Sequence, residues 1–209
     1  MNIEITKQIN ILENDGLSSV FGHAAQQHHD AFGVFYNFLK ETKPARILEI
    51  GTALGGFTQF LKLALNDLNN PAKILTYDIH RMDWYKELEE RGIDVRVENV
   101  FGDNFESVKQ EVIDFIQGDG VTIVLCDGGN KVGEFNILSK YIKNGDFILA
   151  HDYVDNVDNF FGNFKNKIWN WHEISDANIQ QACSDNNLKP YNKEIFDKVV
   201  WVCKIKNNE

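Results

Sequence analysis

Arg46-Ile-Leu-Glu-Ile-Gly-Thr-Ala-Leu-Gly-Gly-Phe-Thr58 is the stretch whose reading decides the fold. An apolar run ends in an acid, a glycine-rich turn follows, and helical spacing begins at once. Leu48 and Ile50 read as buried strand, with Glu49 and Gly51 at its carboxyl end and Gly55-Gly56 opening a helix. In an open α/β sheet the crevice beyond such a strand end is where ligands bind. Gly51 allows a sharp turn and a close approach by a ligand, and the free N–H groups of the next helix can hold an anion. The segment points to a nucleotide-like cofactor; the alternative is a tight turn with no ligand.

Outward from this stretch, strand and helix alternate. Val20, Phe21, Ala24, Ala25, Ala31, Phe32, Phe35 and Leu39 recur at helical spacing and predict a helix over 17–42, stopped by Lys43-Pro44. Beyond the helix at 56–69, a second strand Lys73-Ile-Leu-Thr-Tyr77 runs into Asp78, and a short charged helix is expected at 82–91. A third strand, Asp94-Val-Arg-Val97, precedes Gly102-Asp103 and a helix expected over 104–117 with Phe105, Val108 and Val112 inward. The fourth strand, Val121-Thr-Ile-Val-Leu-Cys126, closes on Asp127, and a helix is expected at 131–143. The fifth, Phe147-Ile-Leu-Ala150, closes on His151-Asp152. This alternation implies a parallel sheet with right-handed crossovers. Two strand-like runs near the end, the last being Val199-Val-Trp-Val-Cys-Lys-Ile205, have no long helix between them and predict an antiparallel hairpin.

Composition narrows the partners. A chain of 209 residues suits one α/β domain. Its net charge of −10 and lack of any Lys/Arg stripe argue against nucleic acid. The apolar runs are far too short to span a membrane. Met1-Asn-Ile-Glu-Ile-Thr lacks the basic and apolar regions of a secretory signal, and Cys126, Cys183 and Cys203 form no disulfide pattern. A cytoplasmic protein with a small-molecule or saccharide partner is the expectation.

Asp78 lies 27 positions after Gly51 (78 − 51) at the end of the second strand. A carboxylate there suits the two hydroxyls of a ribose, or else caps the strand. The loop alone, Gly51-x-Ala53-x-x-Gly56, passes for a degraded dinucleotide fingerprint. Glu49, two residues before the first glycine, and Gly55 instead complete the form E-x-G-x-x-x-G. In this the segment resembles motif I of the class I S-adenosylmethionine-dependent methyltransferases, above all the small O-methyltransferases and the relatives of a cephalosporin hydroxylase. The resemblance covers roughly residues 30–205. It implies a Rossmann-like α/β fold: a seven-stranded, mostly parallel sheet with a C-terminal antiparallel hairpin and helices on both faces. The whole of 1–209 would be one methyltransferase domain, with an N-terminal helical segment at 1–42 and an aromatic, substrate-side insertion at 153–187.

The same resemblance implies site residues. Glu49, Gly51, Thr52, Gly55, Asp78, Ile79, Gly102, Asp103 and Asp127 would bind the cofactor. Asp103 would face the adenine amino group, although Asp103 or Asn104 serves equally as a helix N-cap. In metal-dependent relatives an acid after the fourth strand and two polar residues after the fifth hold a divalent ion. The positional match is Asp127, His151 and Asp152, with Mg²⁺ or Mn²⁺ the expected ion. Two departures stand out: Gly128-Gly129-Asn130 follows the first acid, and the expected lysine position is Asn130, with Lys131 one residue later. The alternative is a metal-free site with His151 as general base, and Lys131 or an amino-terminal histidine (His23, His28, His29) as the fallback.

Phe160, Phe161, Phe164, Trp169 and Trp171 crowd the stretch after the fifth strand. They read as a substrate wall, or as a packing or homodimer face. The functional expectation is methyl transfer from S-adenosylmethionine to an oxygen of a small molecule or saccharide, with or without metal. A non-catalytic S-adenosylmethionine or nucleotide binder and an NAD-dependent oxidoreductase are the alternatives.

Overall fold

Leu48 and Ile50 face one side of the central sheet and Ile47 the other, so the strand that contains them is buried on both faces. The structure, a computed structural model, describes residues 3–11 and 18–207. Residue 17, where the first helix was expected to start, and both ends of the 1–209 domain lie outside these. A small antiparallel sheet comes first, from Ile9–Ile11 (β1), Ser18–Val20 (β2) and His23–Ala24 (β3), preceded by Ile3–Gln8 (α1).

The main sheet is built from Arg46–Ile50 (β4), Lys73–Asp78 (β5), Asp94–Val97 (β6), Thr122–Cys126 (β7), Phe147–Ala150 (β8), Leu188–Pro190 (β9) and Val202–Lys206 (β10). Its order is β6-β5-β4-β7-β8-β10-β9. Strands β4 to β8 pair in parallel, and β10 runs antiparallel to both β8 and β9. This is the seven-stranded sheet with the terminal antiparallel hairpin. Helices Ala31–Thr42 (α2) and Gly56–Asp67 (α3) cover one face, with Phe32, Phe35, Phe60 and Trp201 in the core beneath them. Tyr85–Glu90 (α4) packs Tyr85 and Leu88 into the same core. The other face is covered by Gln110–Gln117 (α5) and Lys131–Leu138 (α6). After β8 come a short turn at Val157–Asn159 (α7), Asp176–Asp185 (α8) and Lys193–Asp197 (α9).

The expected helix over 17–42 is half hairpin. Val20 pairs with His23 across Phe21 and Gly22, whose φ angles of 52° and 82° are both positive. That is the two-residue hairpin whose twist suits paired strands, and Gly22 supplies the freedom it needs. The apolar spacing at 20–25 fits a helix equally well, so periodicity alone misread it. The helix over 104–117 also shortens. Asn104 and Phe105 adopt φ 52° and 59° in a short turn, and α5 starts only at Gln110. Neither Asp103 nor Asn104 caps it, since its N-cap is Lys109. The helix expected at 131–143 ends at Leu138.

The chain runs β4–β5–β6 to one side of the sheet and then returns to β7–β8 on the other. The order therefore reverses between β4 and β7, which is the point where open α/β sheets bind ligands.

Candidate active site

Strand register sets the site. Ile50 is opposite both Tyr77 and Cys126, and Cys126 is opposite Ala150. One residue further on, Asp78, Gly51, Asp127 and His151 emerge side by side at the carboxyl edge of the sheet. Gly51 has φ 97°, and a Cβ there would lie 2.8 Å from the Gly128 nitrogen and closer still to the Asp127 carbonyl. The glycine is thus demanded first by its own protein's chain after β7, not by the path of a ligand. Gly56 has a similar role: a Cβ on it would overlap the backbone of His23 and Ala24, so the β2–β3 hairpin sits directly on the start of α3.

Two cavities meet at these strand ends and share Gly51, Ala53 and Asp127. The larger, about 490 Å³, is lined by Asp78, Ile79, Asn99, Phe101 and Glu134 among others. Asp78 Oδ2 accepts from the Ala53 N–H at 2.7 Å and Oδ1 from the His80 N–H at 3.0 Å. Ala53, with φ 47°, is held further by Tyr85 Oη, which donates to its carbonyl at 2.8 Å. Asp78 therefore anchors the glycine loop while each of its oxygens keeps a lone pair for a ligand. Ile79, 65% exposed, lines the same cavity beside it. Gly102 and Asp103 do not line this cavity, and Asp103 is exposed; Asn99 and Glu98 occupy the rim instead. Beneath the loop, Glu49 Oε2 accepts from Thr58 and Thr76, each at 2.6 Å, and Thr52 Oγ1 lies 2.7 Å from Thr76 Oγ1. Burial pushes the Glu49 carboxyl up to about 7 despite both hydroxyls.

The smaller cavity, about 240 Å³, is lined by Glu49, Thr52, Gly55, Asp127, Lys131, His151 and Asp152, with Trp169, Trp171 and Glu173 at its side. His151 Nδ1 is 3.0 Å from Asp127 Oδ1, and the ring stacks on Trp201 with centroids 4.9 Å apart. Its Nε2 is buried and has no hydrogen-bond partner among the described residues. Burial alone would lower the His151 pKa, but the Asp127 and Asp152 carboxylates outweigh it and raise it. Asp152, at φ 56°, accepts from Trp169 Nε1 at 2.6 Å and contacts Lys131 Nζ at 3.1 Å. Burial would raise its carboxyl, yet His151, Lys131 and Trp169 hold it below the usual range.

Asp127, His151 and Asp152 place ligand atoms within 4.8 Å of one another, the sequence-derived trio. Their donor set does not suit a divalent ion. Asp127 Oδ1 faces His151 Nδ1 and Oδ2 accepts from Gln27 Nε2 at 2.9 Å. Asp152 Oδ1 is taken by Trp169 and Oδ2 by Lys131. Each of these oxygens accepts once and keeps a lone pair, but the Lys131 ammonium, 3.1 Å from Asp152 Oδ2 and 3.8 Å from Asp127 Oδ1, sets a positive charge where a divalent ion would sit. Lys131 is also no fallback base. Burial would lower its pKa, but Asp127, Asp152 and Glu173 together raise it, so it stays an ammonium.

The FtsJ-like methyltransferase family matches residues 26–187. The chain belongs to that family. Its fold is also that of solved methyltransferase structures. The citrinin polyketide synthase CMeT domain matches with TM-score 0.54 at 12% identity, covering 87% of this chain and 54% of that one. A CmcI structure with Mg and S-adenosylmethionine matches with TM-score 0.56 at 12% identity, covering 85% and 71%. A caffeoyl-CoA O-methyltransferase candidate from Staphylococcus aureus matches with TM-score 0.51 at 11% identity, covering 84% and 82%. The chain spans about half the length of the first of these, and identities this low carry the fold alone. No curated protein matches the sequence. Sheet order, terminal hairpin and family membership agree on the class I methyltransferase fold, and they leave the oxidoreductase alternative without support.

Sequence reasoning missed two residues of this methyltransferase's site. Gln27, fully buried, donates through Nε2 to Asp127 and accepts through Oε1 from Trp201 Nε1 at 2.8 Å. It sits 100 residues from one partner and 174 from the other, so no local pattern reports it. Glu173, 3.0 Å from Lys131 Nζ, comes from an irregular segment with no signal of its own. Of the amino-terminal histidines, His23 pairs with Glu87 at 3.2 Å and stacks on Trp84, while His28 and His29 lie beside Asp30, and none lines either cavity.

Proposed function

We propose that this chain methylates an oxygen of a small molecule or saccharide, without a metal ion. What carries the reading is that the two cavities meet at Asp127, whose carboxylate holds His151 Nδ1 at 3.0 Å. The larger cavity suits the adenosine part of S-adenosylmethionine, with Asp78 toward the ribose and Ile79 and Phe101 against the ring. Asn99 replaces Asp103 as the polar group on the adenine side. The smaller cavity takes the methionine end near Gly55 and the acceptor near His151. When bound, the cofactor supplies an electrophilic methyl on a sulfonium.

The protein's part is proton handling and orientation. An Nδ1–H donated to Asp127 fixes the tautomer and leaves Nε2 as a lone pair, the form a general base needs. Trp201 under the ring, and Gln27 behind Asp127, hold the pair in place. Trp171, 55% exposed beside Trp169, offers a face for a sugar or aromatic ring. In this reading the segment at 153–187 is substrate wall rather than homodimer contact.

The test is S-adenosylhomocysteine release against a panel of phenols and saccharides, with and without chelator. His151→Ala should cut turnover on any accepted substrate while leaving S-adenosylhomocysteine affinity unchanged. Equal turnover in that variant would remove His151 from the reaction. A non-catalytic binder is the second reading, favoured by the burial of Nε2 under aromatic rings; product formation with any acceptor excludes it.

A further inference from the structure

We propose that Lys131 is this site's built-in cation, its ammonium taking the place that the sequence offered to a divalent ion. Three observations converge on it. First, Nζ has three hydrogens and meets three oxygens at bonding distance: Gly128 O at 3.1 Å, Glu173 Oε2 at 3.0 Å and Asp152 Oδ2 at 3.1 Å. Asp127 Oδ1 is a fourth neighbour at 3.8 Å. Second, the side chain is 6% exposed, so the ammonium has given up water for these partners. Third, it occupies the first position of α6, where the helix dipole disfavours a positive charge and an acid is the usual choice. A lysine placed there against local preference is held by the three acids that arrive from β7, β8 and the segment after Trp171.

All three N–H donors are spent, so Lys131 has none left for an acceptor hydroxyl. It is a positioning residue that works by charge: it sits between Asp127 and Asp152, helps hold the Asp152 carboxyl below its usual range, and fixes the carboxylate that orients His151. That this makes methyl transfer metal-free rests on the function proposed above; the exclusion of metal itself does not. The consequence is specific. Removing the ammonium leaves three carboxylates and one carbonyl around an emptied space, a hard-oxygen set suited to Mn²⁺ or Mg²⁺.

The experiment is a manganese titration of the full chain, with MnCl₂ alone as probe and free Mn²⁺ read by electron paramagnetic resonance. Wild-type protein should leave the free-ion signal intact. Lys131→Ala should bind one ion more than about tenfold tighter, because a repelling unit charge has left the ligand sphere. Adding Asp152→Asn to that variant should abolish the binding again. Should Lys131→Ala fail to fold, Lys131→Gln provides the same comparison with a neutral side chain of similar length. A wild-type chain that takes up one Mn²⁺, and loses it in Asp152→Asn, overturns the proposal; so does a folded Lys131 variant with no gain. Neither cofactor nor acceptor is present in this measurement, so failure of the methyltransfer reading would not alter its result.

Discussion

Replacing Gln27 with leucine tests whether the polar chain from Trp201 to His151 is real. The substitution conserves bulk but removes both hydrogen bonds of a fully buried side chain. Trp201 is itself fully buried, so its indole N–H is left with no partner, at a cost of about 1–3 kcal/mol. Asp127 loses one donor to a carboxylate, worth about 1.5–3 kcal/mol. Its side chain is 18% exposed, so water recovers part of that and the low end applies. The leucine regains some apolar contact. The balance is a loss of about 2–4 kcal/mol, which for a domain of this size lowers the melting temperature by roughly 4–16 °C. Denaturant and thermal melts of the cofactor-free chain measure it. In turnover assays kcat should fall roughly 10- to 100-fold with little change in KM for S-adenosylmethionine, since Asp127 and His151 lose their alignment rather than the cofactor its pocket. Gln27→Glu should be worse at neutral pH than in acid, because a second carboxylate then faces Asp127. A Gln27→Leu variant that melts within about 2 °C of wild type and keeps its kcat refutes the reasoning.

Gly51→Ala should destabilise the cofactor-free protein by more than about 2 kcal/mol, because its Cβ meets the chain after Asp127 and its φ is 97°; a normal melt with lost cofactor binding would instead place the ligand against it. Asp78→Ala should weaken S-adenosylhomocysteine binding by about 1.5–3 kcal/mol in calorimetry, and unchanged affinity would mean that the ribose is held elsewhere. The His151 pKa lies above 6.5 in the folded chain, so its stabilising contribution is complete below that pH and is lost as pH rises through the raised value. Turnover that needs the neutral ring should rise over the same window, and Asp127→Asn should move that limb downward because burial then dominates. A wild-type limb below 6.5, or one indifferent to Asp127→Asn, contradicts the assignment.

The sequence by itself determined the sheet and its ligand-binding edge. Strand runs buried on both faces, such as Ile47–Ile50 and Thr122–Cys126, are largely apolar, broken only by Glu49 and Thr122, and the central parallel strands end at or just before Gly51, Asp78, Asp127 and His151. Such signals are local, because one strand's hydrophobicity and the residue closing it lie together in the chain. Local signals failed where two structures share one apolar spacing. Residues 18–25 suit a helix or a hairpin, and the positive φ of Phe21 and Gly22 decided for the hairpin. They failed again at 102–105, where Asn104 and Phe105 turned left-handed and carried Asp103 away from the cavity. What only the tertiary structure decided is who neighbours Asp127 and Asp152. Gln27, Lys131 and Trp169 reach those carboxylates from three separate parts of the chain, and Glu173 reaches Lys131. Two acids and a histidine at strand ends look like a metal site in sequence because spacing lists ligands but not their competitors. Whether a buried carboxylate stays bare for an ion or is already bonded depends on packing, and packing brings together residues that the sequence keeps far apart.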